Sequence, residues 1–190
     1  MSIILASASP RRKELLNMLG VRDLVIRPAV GEERADPALP PDALVKALAA
    51  HKAREAAEGS APGDIVIAAD TIVWHEGRVY GKPHSELEAA HMLRALSGTA
   101  HAVYTGVCVL KDGRESLAVE QSRVHFRLLS EAEIAAYIKT GEPMDKAGAY
   151  GIQGRASLFV EGIEGDYFNV VGLPLCRLGL MLRELGVSLL

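Results

Sequence analysis

A chain of 190 residues, 49% hydrophobic and 24% charged, has ample material for one substantial core. Its net charge of −3 and 5% aromatic content exclude a nonspecific grip on DNA or RNA, which needs a broad basic surface and stacking rings. Cys108 and Cys176 are isolated in apolar runs without metal or redox spacing, which predicts buried free thiols.

Ser2–Ala6 reads as a buried strand, and Pro10–Leu19 as a helix stopped by Gly20. Between them lies Ser7-Ala8-Ser9-Pro10-Arg11-Arg12. Ser9 suits an N-cap and Pro10 the first helical position. Freed backbone N–H groups, the positive helix end and two guanidinium groups are then expected to face one spot, a site for a phosphate chain. The Walker A pattern is absent. The apolar run at the start is cut short by Ser7, Pro10 and Arg11, which predicts a cytoplasmic chain without a secretory leader.

Leu24–Pro28 suggests a short strand and Val30–Asp42 a loop. In that loop Glu32 and Glu33 could serve a metal, although a Glu-Glu-Arg run is also what solvated surface looks like. Asp42–Glu58 is helical, with Leu44, Val45, Leu48 and Ala49 on one face. Lys52 lies further along it, beside His51 and near Arg54, so a solvated face is its default.

Asp64–Ala69 is a near-continuous apolar strand, and Asp70 follows at its expected C-terminal end. An aspartate there can hold a hydrated cation or draw a proton from water, or it can simply open a turn with Thr71. Val73–Tyr80 reads as a hairpin turning at Glu76-Gly77. Lys82 sits in Gly81-Lys82-Pro83, where the backbone is constrained and the ammonium could act as a point charge on phosphate.

Ser85 with Glu88, and Ser130 with Glu133, are capping-box patterns opening helices that end near Ser97-Gly98 and Gly141. Between them Ala102–Leu110 and Glu115–Leu128 form a second hairpin around Asp112-Gly113. Asp145–Gly154 (DKAGAYGIQG) has glycines at three-residue spacing, which allow close backbone approach to a flat ligand. Gln153 offers an amide that can donate and accept together, as the edge of a uracil ring requires; a plain loop is the other reading. Gly172–Leu185 closes the chain as an amphipathic helix. Strands alternating with helices, hairpins included, predict an α/β fold on a mixed sheet.

Together LASASPRR (Leu5–Arg12), AADT (Ala68–Thr71), GKP (Gly81–Pro83), Ser97-Gly98 with the following strand, DKAGAYGIQG and VGLPL (Val171–Leu175) resemble the Maf family of nucleoside triphosphate pyrophosphatases. The segments run in family order from one end of the chain to the other. The resemblance implies a single Maf/inosine-triphosphatase-like domain over 1–190, with a long mixed β-sheet, flanking helices and a cleft between two lobes. It implies Mg²⁺ or Mn²⁺ as cofactor, and hydrolysis of a nucleoside triphosphate to the monophosphate plus pyrophosphate.

Carried over by position, Asp70 is the expected proton acceptor and metal ligand, and Glu33, beside Glu32, the acidic loop residue near the metal. Ser7, Arg11, Arg12, Lys52 and Lys82 are the expected phosphate-handling set. Arg11, Thr71 and Gln153 resemble the branch acting on dTTP and UTP; the 7-methyl-GTP branch has tryptophan, glutamine and glutamate there. The expected partners are therefore small-molecule triphosphates, not nucleic acid or membrane, with a homodimer allowed. A nucleotide-binding regulator of septum formation is the competing reading. It would need neither a base nor a metal, so Asp70 and Glu33 favour the enzyme.

Overall fold

The computed structural model describes residues 2–21, 23–31, 35–36 and 38–189. The strands are β1 (Ile3–Leu5), β2 (Leu24–Ile26), β3 (Ile65–His75), β4 (Arg78–Tyr80), β5 (Ala100–Lys111), β6 (Arg114–Phe126) and β7 (Val160–Glu164). The helices are α1 (Pro10–Met18), α2 (Pro41–Ala57), α3 (Glu86–Leu96), α4 (Glu131–Ile138), α5 (Tyr167–Val171) and α6 (Leu175–Glu184). The strands lie in the order β2-β1-β3-β5-β6-β7, with β4 on β3. β1 runs parallel to β2 and β3, whereas β3–β4 and β6–β7 are antiparallel, so the sheet is mixed as expected.

Both hairpins form at the foreseen dipeptides. Glu76-Gly77 (φ 48° and 76°) and Asp112-Gly113 (φ 48° and 75°) take the doubly positive φ that two-residue turns between twisted strands demand. Of the two capping boxes, Ser130–Glu133 is complete. Ser85 accepts from the Glu88 N–H, but the Glu88 carboxylate reaches one residue further back, to the His84 N–H.

Three expectations need correction. The apolar strand does not stop at Ala69: β3 runs on through Asp70, because Val73, Trp74 and His75 pair with β4. The closing helix starts later than Gly172: α6 opens at Leu175 behind the capping Pro174, and a separate short helix, α5, precedes it. Cys108 is buried and its thiol is pushed up to about 12, mainly by that burial, but Cys176 is exposed on the outer side of α6. β7 and three short 3₁₀ turns between Glu142 and Phe159 carried no periodic signal long enough to read.

The chain packs as two units. In the first (Met1–Asp70, Thr105–Glu120, Gly172–Leu190), α2 lays Ala49, Ala50, Ala53 and Ala56 against Ile4 and Ala6 of the first strand region, Val66 and Ala68 of β3, and Cys108 of β5. Four small side chains let the helix sit close to the sheet. At Gly106 of β5 the approach is backbone to backbone, since a Cβ there would overlap the Val45 carbonyl.

The second unit (Thr71–Tyr104, Gln121–Val171) is centred on aromatic rings. His101 packs edge-on to Phe126 and Tyr150 and shares a 2.8 Å hydrogen bond with the Tyr150 hydroxyl. Burial, with smaller contributions from His75 and His125, holds the His101 pKa down to about 3. A free histidine titrates near 6.5, so between those values the unfolded chain binds a proton that the folded one does not. This contribution to stability is therefore full above about pH 6.5 and is lost as pH falls toward 3. Melting curves across that range should show a steeper decline for the wild type than for His101→Gln; equal slopes would contradict it. Among the described residues, no helix is long and apolar enough to cross a membrane.

Candidate active site

Asp70 is placed by strand alternation. Val66 and Ala68 point into the layer beneath α2, and two residues on the Asp70 carboxylate continues the same face. There it meets Lys52, which α2 carries one residue before the buried Ala53. Lys52 Nζ donates to Asp70 Oδ1 at 2.5 Å, with both side chains largely buried. Lys52 is thus no solvated-face residue. By the same alternation Thr71 leaves β3 on the opposite face, and it belongs to the second unit.

Ser7 and Arg12 also meet. The Arg12 guanidinium donates from Nη1 to Ser7 Oγ (3.1 Å) and from Nε to the Gly172 carbonyl (2.8 Å). Ser7 Oγ accepts a further bond from the Ser9 N–H at 3.2 Å. This corrects the expected cap in one respect. Ser9 occupies the N-cap position and Pro10 the first helical one, but the Ser9 hydroxyl makes no capping bond. The loop is organised instead by Ser7, whose oxygen collects two donors and fixes one face of Arg12. The Gly172 carbonyl explains the VGLPL segment, which the sequence marked without a role. Gly172 has φ 119°, a conformation that side-chain-bearing residues rarely adopt, and it directs its oxygen at Arg12. Arg11, half-buried in the first turn of α1, completes this basic segment.

Glu33, and Glu32 beside it, lie outside the described residues. Sequence reading missed how the preceding chain is held. Glu55, three residues beyond Lys52 on α2, accepts from the Val30 N–H (2.6 Å) and the Gly31 N–H (2.9 Å). Those bonds hold its carboxyl below the usual carboxylate range. One helix thus carries both the partner of Asp70 and the anchor of the Val30–Gly31 backbone. No signal in the sequence separates Glu55 from an ordinary surface glutamate.

In the second unit the GKP and DKAGAYGIQG segments are joined, because the Gly148 N–H donates to the Gly81 carbonyl at 3.0 Å. Lys82 and Gln153 are both exposed. The three-residue glycine spacing also answers to packing within the unit. A Cβ on Gly148 would come within 2.8 Å of Val73, one on Gly151 within 2.5 Å of the aliphatic stem of Lys146, and one on Gly154 would overlap the Glu142 carboxylate. These glycines make room for the protein's own side chains.

The family model described as Maf-like protein matches residues 2–185. A dTTP/UTP pyrophosphatase of Moorella thermoacetica is 53% identical over 188 residues, covering 98% of this chain and 96% of the relative. One from Thermococcus gammatolerans is 50% identical over 188 residues, covering 99% and 98%. Among solved structures, a HAM1 protein from Coxiella burnetii superposes with a TM-score of 0.55 at 16% identity, over 97% of this chain and 99% of that one, a likeness of fold. With a near-full-length family match and relatives at half identity, the chain belongs to the Maf family.

Proposed function

We propose that this protein hydrolyses dTTP and UTP to the monophosphate and pyrophosphate, with Asp70 as the proton acceptor. The observation that carries the reading is the Lys52–Asp70 pair: a largely buried carboxylate held by an ammonium, in a chain about half identical to enzymes named for this reaction.

In the reaction, Asp70 orients a water and takes its proton as the oxygen attacks the α-phosphorus. The bond from that phosphorus to the bridging oxygen breaks, and its electron pair leaves with pyrophosphate. Lys52 has three N–H donors, enough to keep Asp70 oriented while also binding a phosphate oxygen. Arg11, Arg12 and Lys82 stabilise the charge that builds on the leaving group, with Arg12 oriented by Ser7 and Gly172. Thr71 and Gln153 contact the nucleoside side, Gln153 by pairing with the pyrimidine edge.

The donor set suits a divalent cation that arrives with the triphosphate. No group of three or more His, Cys, Asp or Glu among the described residues could form a closed cage, and Mg²⁺ bound to phosphates needs only one or two protein carboxylates. Asp70 supplies one and Glu33 is proposed for the other. When bound, the cation neutralises phosphate charge and polarises a phosphoryl oxygen.

A panel of triphosphates with Mg²⁺, with pyrophosphate and orthophosphate measured separately, tests the reading. Pyrophosphate is expected mainly from dTTP and UTP. Preference for 7-methyl-GTP would move the chain to the other branch, and nucleotide binding without release of either product would make it a regulator.

A further inference from the structure

Gln153 stands at the tip of a tight turn whose two ends are held by one pair of side chains. The Gly154 N–H donates to the Gly151 carbonyl at 3.0 Å, which closes a four-residue turn around Ile152 and Gln153. Ile152 is buried and Gln153 is exposed. Two residues before Gln153, the Gly151 N–H donates to the Tyr137 hydroxyl at 3.2 Å. Two residues after it, the Arg155 N–H donates to Glu142 Oε2 at 3.1 Å. The holders are joined to each other, since the Tyr137 hydroxyl donates to Glu142 Oε1 at 3.0 Å. Lys146 secures the base of the assembly by donating to the Glu142 main-chain carbonyl at 2.7 Å.

We propose that Tyr137 and Glu142 are positioning residues that set substrate preference by fixing the turn from which Gln153 meets the base. This rests on the reading of Gln153 as the group that pairs with the pyrimidine. Both backbone bonds end two residues from Gln153, one on each side, so a change in either tilts the exposed amide. The fit is close. Gly151 and Gly154 pack so tightly on Lys146 and Glu142 that neither position has room for a Cβ, so the turn cannot settle lower or rotate freely. Burial pushes the Tyr137 hydroxyl pKa well up, so it remains a protonated donor to Glu142 at any working pH. Pairing with a base edge needs donor and acceptor placed within a few tenths of an ångström, and a loop amide acquires that placement only from such supports.

The test uses the full chain and the ratio of kcat/KM for dTTP to that for dGTP. Tyr137→Phe deletes both hydroxyl contacts and keeps the ring, and Glu142→Gln keeps the shape while changing one acceptor to a donor. Each is expected to lower the ratio about tenfold, chiefly through a higher KM for dTTP. Adding Gln153→Ala to either is expected to lower it no further than Gln153→Ala alone, because the pair acts through Gln153. Equal losses on both nucleotides, or losses that multiply in the double variants, would reduce the pair to a support of the fold. If Gln153→Ala collapses the ratio while Tyr137→Phe and Glu142→Gln leave it intact, the positioning role is overturned and base reading stands. If Gln153→Ala itself leaves the ratio intact, base reading fails and the positioning role falls with it.

Discussion

Asp70→Asn is expected to leave a folded protein that has lost about 10²- to 10⁴-fold in kcat for dTTP, the range a positioned general base contributes. The amide keeps the size and one acceptor of the carboxylate, so it can still take the Lys52 N–H that Asp70 Oδ1 takes at 2.5 Å. It cannot take a proton from water. Folding survives because β3 around it is made by Val66, Ala68 and their neighbours, not by the ion pair. Replacing a charged partner of a largely buried ammonium costs about 1–3 kcal/mol, visible as a modest drop in melting temperature. Substrate binding is pulled two ways. Without the carboxylate, Lys52 turns its charge to phosphate, while the cation that arrives with dTTP loses one of its proposed ligands, so KM for dTTP should change far less than kcat. Steady-state pyrophosphate release with a melting curve separates these effects. A folded variant that keeps more than about a tenth of wild-type kcat would remove Asp70 as the base.

The parts of the fold that the sequence displayed are those set by local rules. Glu76-Gly77 and Asp112-Gly113 demand positive φ, and Ser130 with Glu133 satisfies orphan N–H groups within one turn of helix. The parts it hid depend on neighbours distant in the chain. β3 extends past Asp70 because β4 returns to pair with it. Ser9 loses its capping bond to an arrangement in which Ser7 Oγ serves Ser9 and Arg12 together, with Arg12 turned toward Gly172, 160 residues away. Lys52 looked solvated because a helix with charges on one side gives no sign of which charge ends above a strand. Asp70 and Lys52 were each legible through the resemblance, but their pairing depends on how closely α2 approaches the sheet.

That approach yields the largest expected effect on stability. Gly106→Ala would place a Cβ into the Val45 carbonyl and within 2.8 Å of the Lys46 nitrogen. These are backbone atoms of α2 and cannot rotate aside. The helix must lift, yet Ala49, Ala53 and Ala56 are almost completely buried against the sheet and have no longer rotamer with which to refill the gap. Overpacking of this kind costs about 1–3 kcal/mol, and in a protein of this size each kcal/mol lowers the melting temperature by about 2–4 °C. Activity should fall with it, because Lys52 rides on the displaced helix and a shift of about 1 Å in a reacting geometry can cost about 10²-fold. Gly179→Ala in α6 is the matched control. A Cβ there meets nothing within 4 Å, and alanine is favoured over glycine inside a helix by about 1 kcal/mol, so the melting temperature should hold or rise. A Gly106→Ala protein as stable and active as the Gly179→Ala one would show that α2 does not need its close seat on β5 to bring Lys52 to Asp70.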